Sequence, residues 1–211
     1  MDREKSRENR LQTTVLTALL IAVGIVIPIF FPKIVIGPAS FTLASHVPIF
    51  IAMFLSPGVA VAVSLGTTLG FFLSGLPLVV TLRALTHVIF ASVGAVMLKR
   101  RPGILDSAAS STWFGLLMAV IHEVPEVLVV TFFFFGGLMT KAYYSSGYMM
   151  SVLLLVGLGG VVHSMVDYSI SLAVWKGVSR ALRQVRPAAA ARPDSSASAA
   201  GRGGYSTIRA K

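Results

Sequence analysis

The chain has 211 residues, of which 55% are hydrophobic and only 12% charged. A soluble domain carries roughly 25% charged residues, so lipid must be part of this chain's solvent. The absence of cysteine excludes disulfides, zinc–thiolate sites and iron–sulfur clusters. The net charge of +10 does not read as a nucleic-acid surface, because its residues flank apolar runs instead of forming one face.

In chain order, residues 1–10 form a charged, mobile tail with Arg3, Lys5, Arg7 and Arg10. The first apolar run, 11–31, is too long for a signal-peptide core and is read as a retained span. Residues 33–40, with Gly37 and Pro38, read as an irregular loop. The second run, 41–55, covers only about 22 Å as a helix, short of a hydrocarbon core of about 30 Å. It needs a kink or help from an ordered flanking loop. Further spans are expected at 59–73, 78–98, 113–135 and 149–175, with a Gly- and Tyr-containing loop at 136–147. Lys99, Arg100 and Arg101 close the fourth span, and Lys176, Arg180, Arg183 and Arg186 follow the sixth. Only Lys33 and Lys141 fall on the other side. The excess of basic residues on one side sets both termini in the cytoplasm. The expectation is an all-α membrane protein of six transmembrane helices, N-in and C-in. Its transmembrane domain is 11–180, and 181–211 is a disordered cytoplasmic tail.

The residues that a bilayer should reject carry the functional signal. Arg83, Glu123, Glu126 and Asp167 lie inside spans, as do all four histidines, His46, His87, His122 and His163. Each charge at mid-membrane costs roughly 2.5–3.5 kcal/mol, so these groups must pair or face a protected interior. Arg83 and His87 share a face of the fourth span one turn apart, and His163 and Asp167 share one on the sixth. His46, Arg83, His87, Glu126 and His163 are candidates to converge on a pocket in the outer half. A purely structural network, with Arg83 paired to Glu126 and Asp167 capping a histidine, is the competing reading.

Three small-residue pairs, Ala18/Ala22, Gly66/Gly70 and Ala91/Ala95, sit four apart and permit close helix approach, inside the bundle or to a partner. The run His122-Glu123-Val124-Pro125-Glu126 falls short of a zinc-protease motif. Its i+4 residue is Glu126, and Pro125 disturbs the helix that would present the pair. No metal site and no cofactor are expected from it. No phosphate-binding Gly-Lys-Ser/Thr loop is present, so the chain does not drive transport with ATP by itself.

At this point the chain resembles a known family. Six spans in about 200 residues, basic cytoplasmic ends, no nucleotide motif and Ala18-x-x-x-Ala22 on the first span look like the substrate-binding S component of an energy-coupling factor (ECF) vitamin transporter. The stretch 37–48 (GPASFTLASHVP), Gly66-Thr-Thr-Leu-Gly-Phe and Leu82-Arg-Ala-Leu-Thr-His are similar to the niacin-specific members. The likeness covers roughly 11–180.

The resemblance implies a non-enzyme of the prokaryotic plasma membrane that captures a vitamin, here nicotinate, from outside. It then docks on a transmembrane T component driven by two cytosolic ATPases. The role of meeting the T component carries to Ala18 and Ala22. Nicotinate suits the residues chemically: Arg83 for its carboxylate, His46, His87 or His163 for its ring nitrogen, and Phe72, Phe132 to Phe135, Tyr143 or Tyr148 beside its ring. Alternatives are an S component for another vitamin or amino acid, an intramembrane metal-dependent hydrolase using His122, Glu123 and Glu126, and a bundle that only stabilises a partner.

Overall fold

The structure, a computed structural model, describes residues 2–36 and 39–185. Helix α1 runs from Asp2–Phe30 and is followed by an antiparallel hairpin of β1, Lys33–Ile36, and β2, Ala39–Thr42. Then come α2, Val47–Leu55, α3, Pro57–Leu73, and α4, Leu78–Arg100. A 3-10 turn, Pro102–Leu105, leads into α5, Ala108–Phe135. A short α6, Lys141–Tyr148, runs into a π-helical segment, Met149–Leu158, and on into α7, Gly159–Val185. The chain divides into two compact units, Met1–Trp175 and Lys176–Lys211. The site described below lies wholly in the first, and the described part of the second is the end of α7.

Four helical stretches are long and apolar enough to cross a membrane: Ser6–Phe30, Leu78–Arg100, Ala108–Phe135 and Lys141–Arg180. With its large exposed apolar surface, including Leu69, Phe72, Leu128 and Phe132, this is an all-α membrane protein. α3 is a shorter apolar helix. α2 has only 9 residues, about 13 Å of rise, and cannot cross alone.

The reason for that brevity is visible in the packing. α2 reads Val-Pro-Ile-Phe-Ile-Ala-Met-Phe-Leu and is apolar on every side, the pattern of a helix buried all round. It packs against α1, α3 and α4. Ile49, Phe50, Ala52 and Met53 are almost inaccessible and join Phe90 and Met118 in the main core. A single extended residue, Ser56, ends α2 and begins α3, its hydroxyl accepting the Val59 N–H at 3.3 Å, an N-cap that satisfies an otherwise orphan donor.

Several local expectations need correction. The basic N-terminal segment is helical from Asp2 onward and continuous with the first span. The segment read as an irregular loop forms the strands of the hairpin, and Phe41 and Thr42, assigned to the second span, belong to β2. The loop 136–147 contains α6. The spans at 59–73, 78–98 and 113–135 are each longer at one or both ends. The C-terminal tail expected to be disordered lies outside the described residues beyond Val185. Pro125 does not break α5, which continues through it; an interior proline costs one backbone bond but is tolerated where neighbouring helices enclose the segment.

The small-residue pairs divide. A Cβ on Gly66 would strike Ile21, and one on Gly70 would strike Ile25, so α1 lies directly on this face of α3. Ala91 and Ala95 are buried in the core. Ala18 and Ala22 are exposed on α1, and Ala18 lines a shallow groove with Thr14, Ile21, Ser56, Gly58 and Val59.

Candidate functional site

Two glycines close the π-helical segment and start α7, and they let the site form. Phe41 of the hairpin comes within 3.1 Å of where a Cβ on Gly159 would lie, and the Glu123 carboxyl fills the space a Cβ on Gly160 would need. A π-helical stretch at this place fits the tendency of such segments to occur at functional sites. The hairpin, α2, α4, α5 and α7 therefore meet around one cavity of about 330 Å³.

Its wall carries Lys33, Phe41, Ser45 and His46 from the first third of the chain, Phe71 from α3, Arg83 and His87 from α4, Glu123 and Glu126 from α5, and His163 from α7. All five residues expected at the pocket, His46, Arg83, His87, Glu126 and His163, line this cavity. Lys33, Phe41 and Phe71 were not among the candidates. The aromatic residues expected beside the ligand lie elsewhere: Phe72, Phe132 and Phe135 face outward, Phe133 is buried but does not line the cavity, and Phe134, Tyr143 and Tyr148 pack against a separate cluster around Val130, Val152 and Val156. Phe71 and Phe72 show why: adjacent helical residues point about 100° apart, and only position 71 faces inward.

Glu126 is the centre of the polar network. Arg83 Nε and Nη2 both donate to its Oε2, at 2.8 and 2.5 Å. His87 Nε2 donates to Oε1 at 2.9 Å, and His122 Nε2 lies 3.4 Å from the same oxygen. Two of the five guanidinium N–H groups are used in this way, which leaves three for an arriving anion. The pairing that the sequence left open is thus made, yet Arg83 still reaches the cavity, with 29% of its side chain exposed.

Asp167 is the second anchor, with a fully inaccessible side chain. It accepts the Ala44 N–H at 2.7 Å, the His46 N–H at 2.9 Å and His46 Nδ1 at 3.0 Å. Ala44 has φ of 66°, a left-handed conformation that is costly for a non-glycine residue. The carboxylate on α7 therefore holds the strained turn between β2 and α2 and caps the first turn of α2, whose His46 N-cap makes no side-chain capping bond of its own. Ser45 Oγ bridges to His163 Nε2 at 3.1 Å.

The four histidines form one group. His46 is its hub, with ring centroids 5.0 Å from His87, 4.6 Å from His122 and 5.2 Å from His163. His122 is buried behind the cavity, its Nδ1 bonded to Ser164 Oγ at 3.1 Å. Such a wall offers cations, ring-nitrogen partners and aromatic faces to a small planar anion.

No family model matches the chain, and no solved structure matches it. Among curated proteins it is similar to the "Niacin transporter NiaX" of Lactococcus lactis subsp. cremoris (strain MG1363). The two are 39% identical over 185 residues, which cover 84% of this chain and 79% of the relative. Identity at that level over that length shows common descent, and the chain belongs to the family of the niacin transporter NiaX.

Proposed function

We propose that this protein is the niacin-capturing S component of an ECF-type importer in the prokaryotic plasma membrane. It takes nicotinate from outside and delivers it through a T component and two ATPase subunits. The observation that carries the reading is the cavity. Its volume of about 330 Å³ is at the small end of the range of roughly 300–1,000 Å³ for ligand sites. Its wall sets Arg83 and Lys33, two cations, near two phenyl rings, Phe41 and Phe71, and three histidines.

In this reading Arg83 holds the carboxylate with the N–H groups not given to Glu126, and His46, His87 and His163 face the ring. Glu126 orients Arg83 and keeps the cation tolerable at membrane depth when no ligand is bound. The hairpin β1–β2, which brings Lys33 and Phe41 to the wall, covers the outer mouth. Six crossings with both ends inside follow if α2 and the hairpin together make the second one, and the basic clusters at 3–10, 99–101 and 176–186 then lie in the cytoplasm. Ala18 and Ala22, exposed on α1, are the docking face for the T component.

Titrating the purified chain with nicotinate and with nicotinamide tests the assignment. Tight binding of the acid and at least tenfold weaker binding of the amide are expected, since only the acid pairs with a guanidinium. Equal affinity for the two would remove the carboxylate-anchor role, and no binding of either would remove nicotinate as the ligand.

A further inference from the structure

We propose that His46, His87, His122 and Glu126 bind one divalent transition-metal ion of the zinc class at the base of the cavity. One donor atom from each of these four residues lies within 4.8 Å of every other. His87 Nε2 and His122 Nε2 stand 2.9 and 3.4 Å from Glu126 Oε1, close to the edge of about 3.3 Å that four ligands at zinc distances define. The three rings meet nearly at right angles, with interplanar angles of 78°, 71° and 77°. They approach one region from three directions and do not stack.

Two further observations point to an ion. His122 Nε2 is buried and has no hydrogen-bond partner among the described residues, and an orphaned imidazole nitrogen inside a protein calls for an explanation. The outer nitrogens are also held as metal-binding histidines require. His46 Nδ1 is fixed by Asp167 and His122 Nδ1 by Ser164, which leaves Nε2 of each ring for the ion. An ion would displace the proton that His87 now shares with Glu126.

A second set, His46, His163 and Asp167, is the weaker one. It has three donors, and Asp167 is already occupied by two backbone N–H groups. Because His46, His87 and Glu126 also line the cavity, the ion would face the ligand. Resting on the nicotinate reading above, the pyridine nitrogen is its natural fifth donor, since such sites expand from four to five ligands.

The test uses the full chain in mild detergent, stripped with a chelator and titrated with Co²⁺, whose visible absorption reports ligand number. One Co²⁺ per chain with the strong bands of a four- or five-coordinate site is expected. His122→Ala should abolish those bands, and Asp167→Asn, which keeps the ligand set but loosens His46, should weaken Co²⁺ about 10- to 100-fold. The wild-type titration stands whether or not either variant folds. Absence of stoichiometric Co²⁺ from the wild type, or unchanged bands in a folded His122→Ala protein, overturns the site. Nicotinate should shift the bands and benzoate, which lacks the ring nitrogen, should not; equal shifts or none overturn the fifth-donor role. The two readings fail separately. Tight nicotinate binding in chelator with no Co²⁺ uptake sinks the metal alone, and Co²⁺ uptake with no nicotinate binding sinks the ligand alone.

Discussion

Arg83 and Glu126, 43 residues apart, are joined by two hydrogen bonds from Nε and Nη2 to the single oxygen Oε2. Arg83 also lines the cavity, so in the proposed function one residue both neutralises a buried carboxylate and receives the ligand. The two roles respond differently to substitution. Arg83→Ala strands Glu126 and should cost about 3–5 kcal/mol. Adding Glu126→Gln should recover much of that, because the stranded charge is gone. Arg83→Lys keeps the charge but loses the planar fork, and nicotinate binding should weaken by about 1.5–3 kcal/mol with a smaller change in stability. Thermal unfolding in detergent containing a chelator, alongside nicotinate titration, checks both. A double variant no more stable than Arg83→Ala would show that the pair is not the source of the cost.

The approach of α5 to α7 depends on a missing side chain. A Cβ at Gly115 would lie 2.5 Å from two ring carbons of Tyr168. That ring cannot retreat: it is 2% exposed, packs against Phe50 and shares a 2.7 Å hydrogen bond with Ser111. Gly115→Ala should therefore destabilise the protein by about 1–3 kcal/mol. Gly58, in the first turn of α3, has open space around it, and Gly58→Ala should stabilise by about 0.5–1 kcal/mol through helix propensity. Unfolding midpoints of the two variants should move in opposite directions, and a shared direction would contradict this packing.

Most of the helices were legible because lipid demands long apolar runs, and such runs leave little choice of structure. The hairpin was not. Each strand has four residues, too few for alternation to stand out, and the same apolar residues suit a span as well as a strand. At the site, residue type was legible and convergence only in part. His46, Arg83, His87, Glu126 and His163 stood out as polar groups at membrane depth. The i, i+4 relation of His122 and Glu126 was visible too, but was discounted because Glu126 is not the second histidine of a zinc-protease motif and because of Pro125, which the helix accommodates. That His46 sits at the hub follows from Asp167, on a helix 121 residues away, gripping its backbone and ring. No local pattern carries that information. Lys33 was assigned to topology and Phe41 to a span. Only the hairpin register, Lys33 opposite Thr42 and Ile34 opposite Phe41, brings them to the cavity.

Ala18 and Ala22 differ from the other small-residue pairs in being exposed, both on α1. The Gly66/Gly70 face is already occupied by Ile21 and Ile25, whereas Ala18 borders the shallow groove beside the start of α3. Replacing both alanines by leucine adds bulk at two exposed positions. Uptake into cells should fall by at least tenfold, because the added side chains hold a partner helix off. Nicotinate affinity of the purified variant should stay within about twofold, since neither residue lines the cavity. Equal loss of uptake and binding would mean that this face supports the pocket and not a partner.

Asp167 accepts two backbone N–H groups, from Ala44 and His46, in addition to the His46 ring, and these set the turn that carries both the hairpin and α2. Asparagine has nearly the same shape, but one of its two terminal atoms is a donor and cannot accept. In Asp167→Asn at least one of the N–H groups now facing a carboxylate oxygen would face an NH₂ instead. Hydrogen bonds to charged groups contribute about 1.5–3 kcal/mol, so a loss of that size in stability is expected. The effect should be local before it is global: Ala44 is held in a left-handed conformation that costs free energy when its restraint is removed. Amide hydrogen exchange across residues 39–46 should accelerate more than exchange in α3 or α4, and nicotinate should bind more weakly because Phe41 and His46 lose their fixed positions. Asp167→Glu, a longer carboxylate, should not restore the protection, because the 0% exposed site has no room for another methylene. Uniform acceleration of exchange over the whole chain, with the turn no more affected than α3, would show that Asp167 supports the fold in general and not this turn.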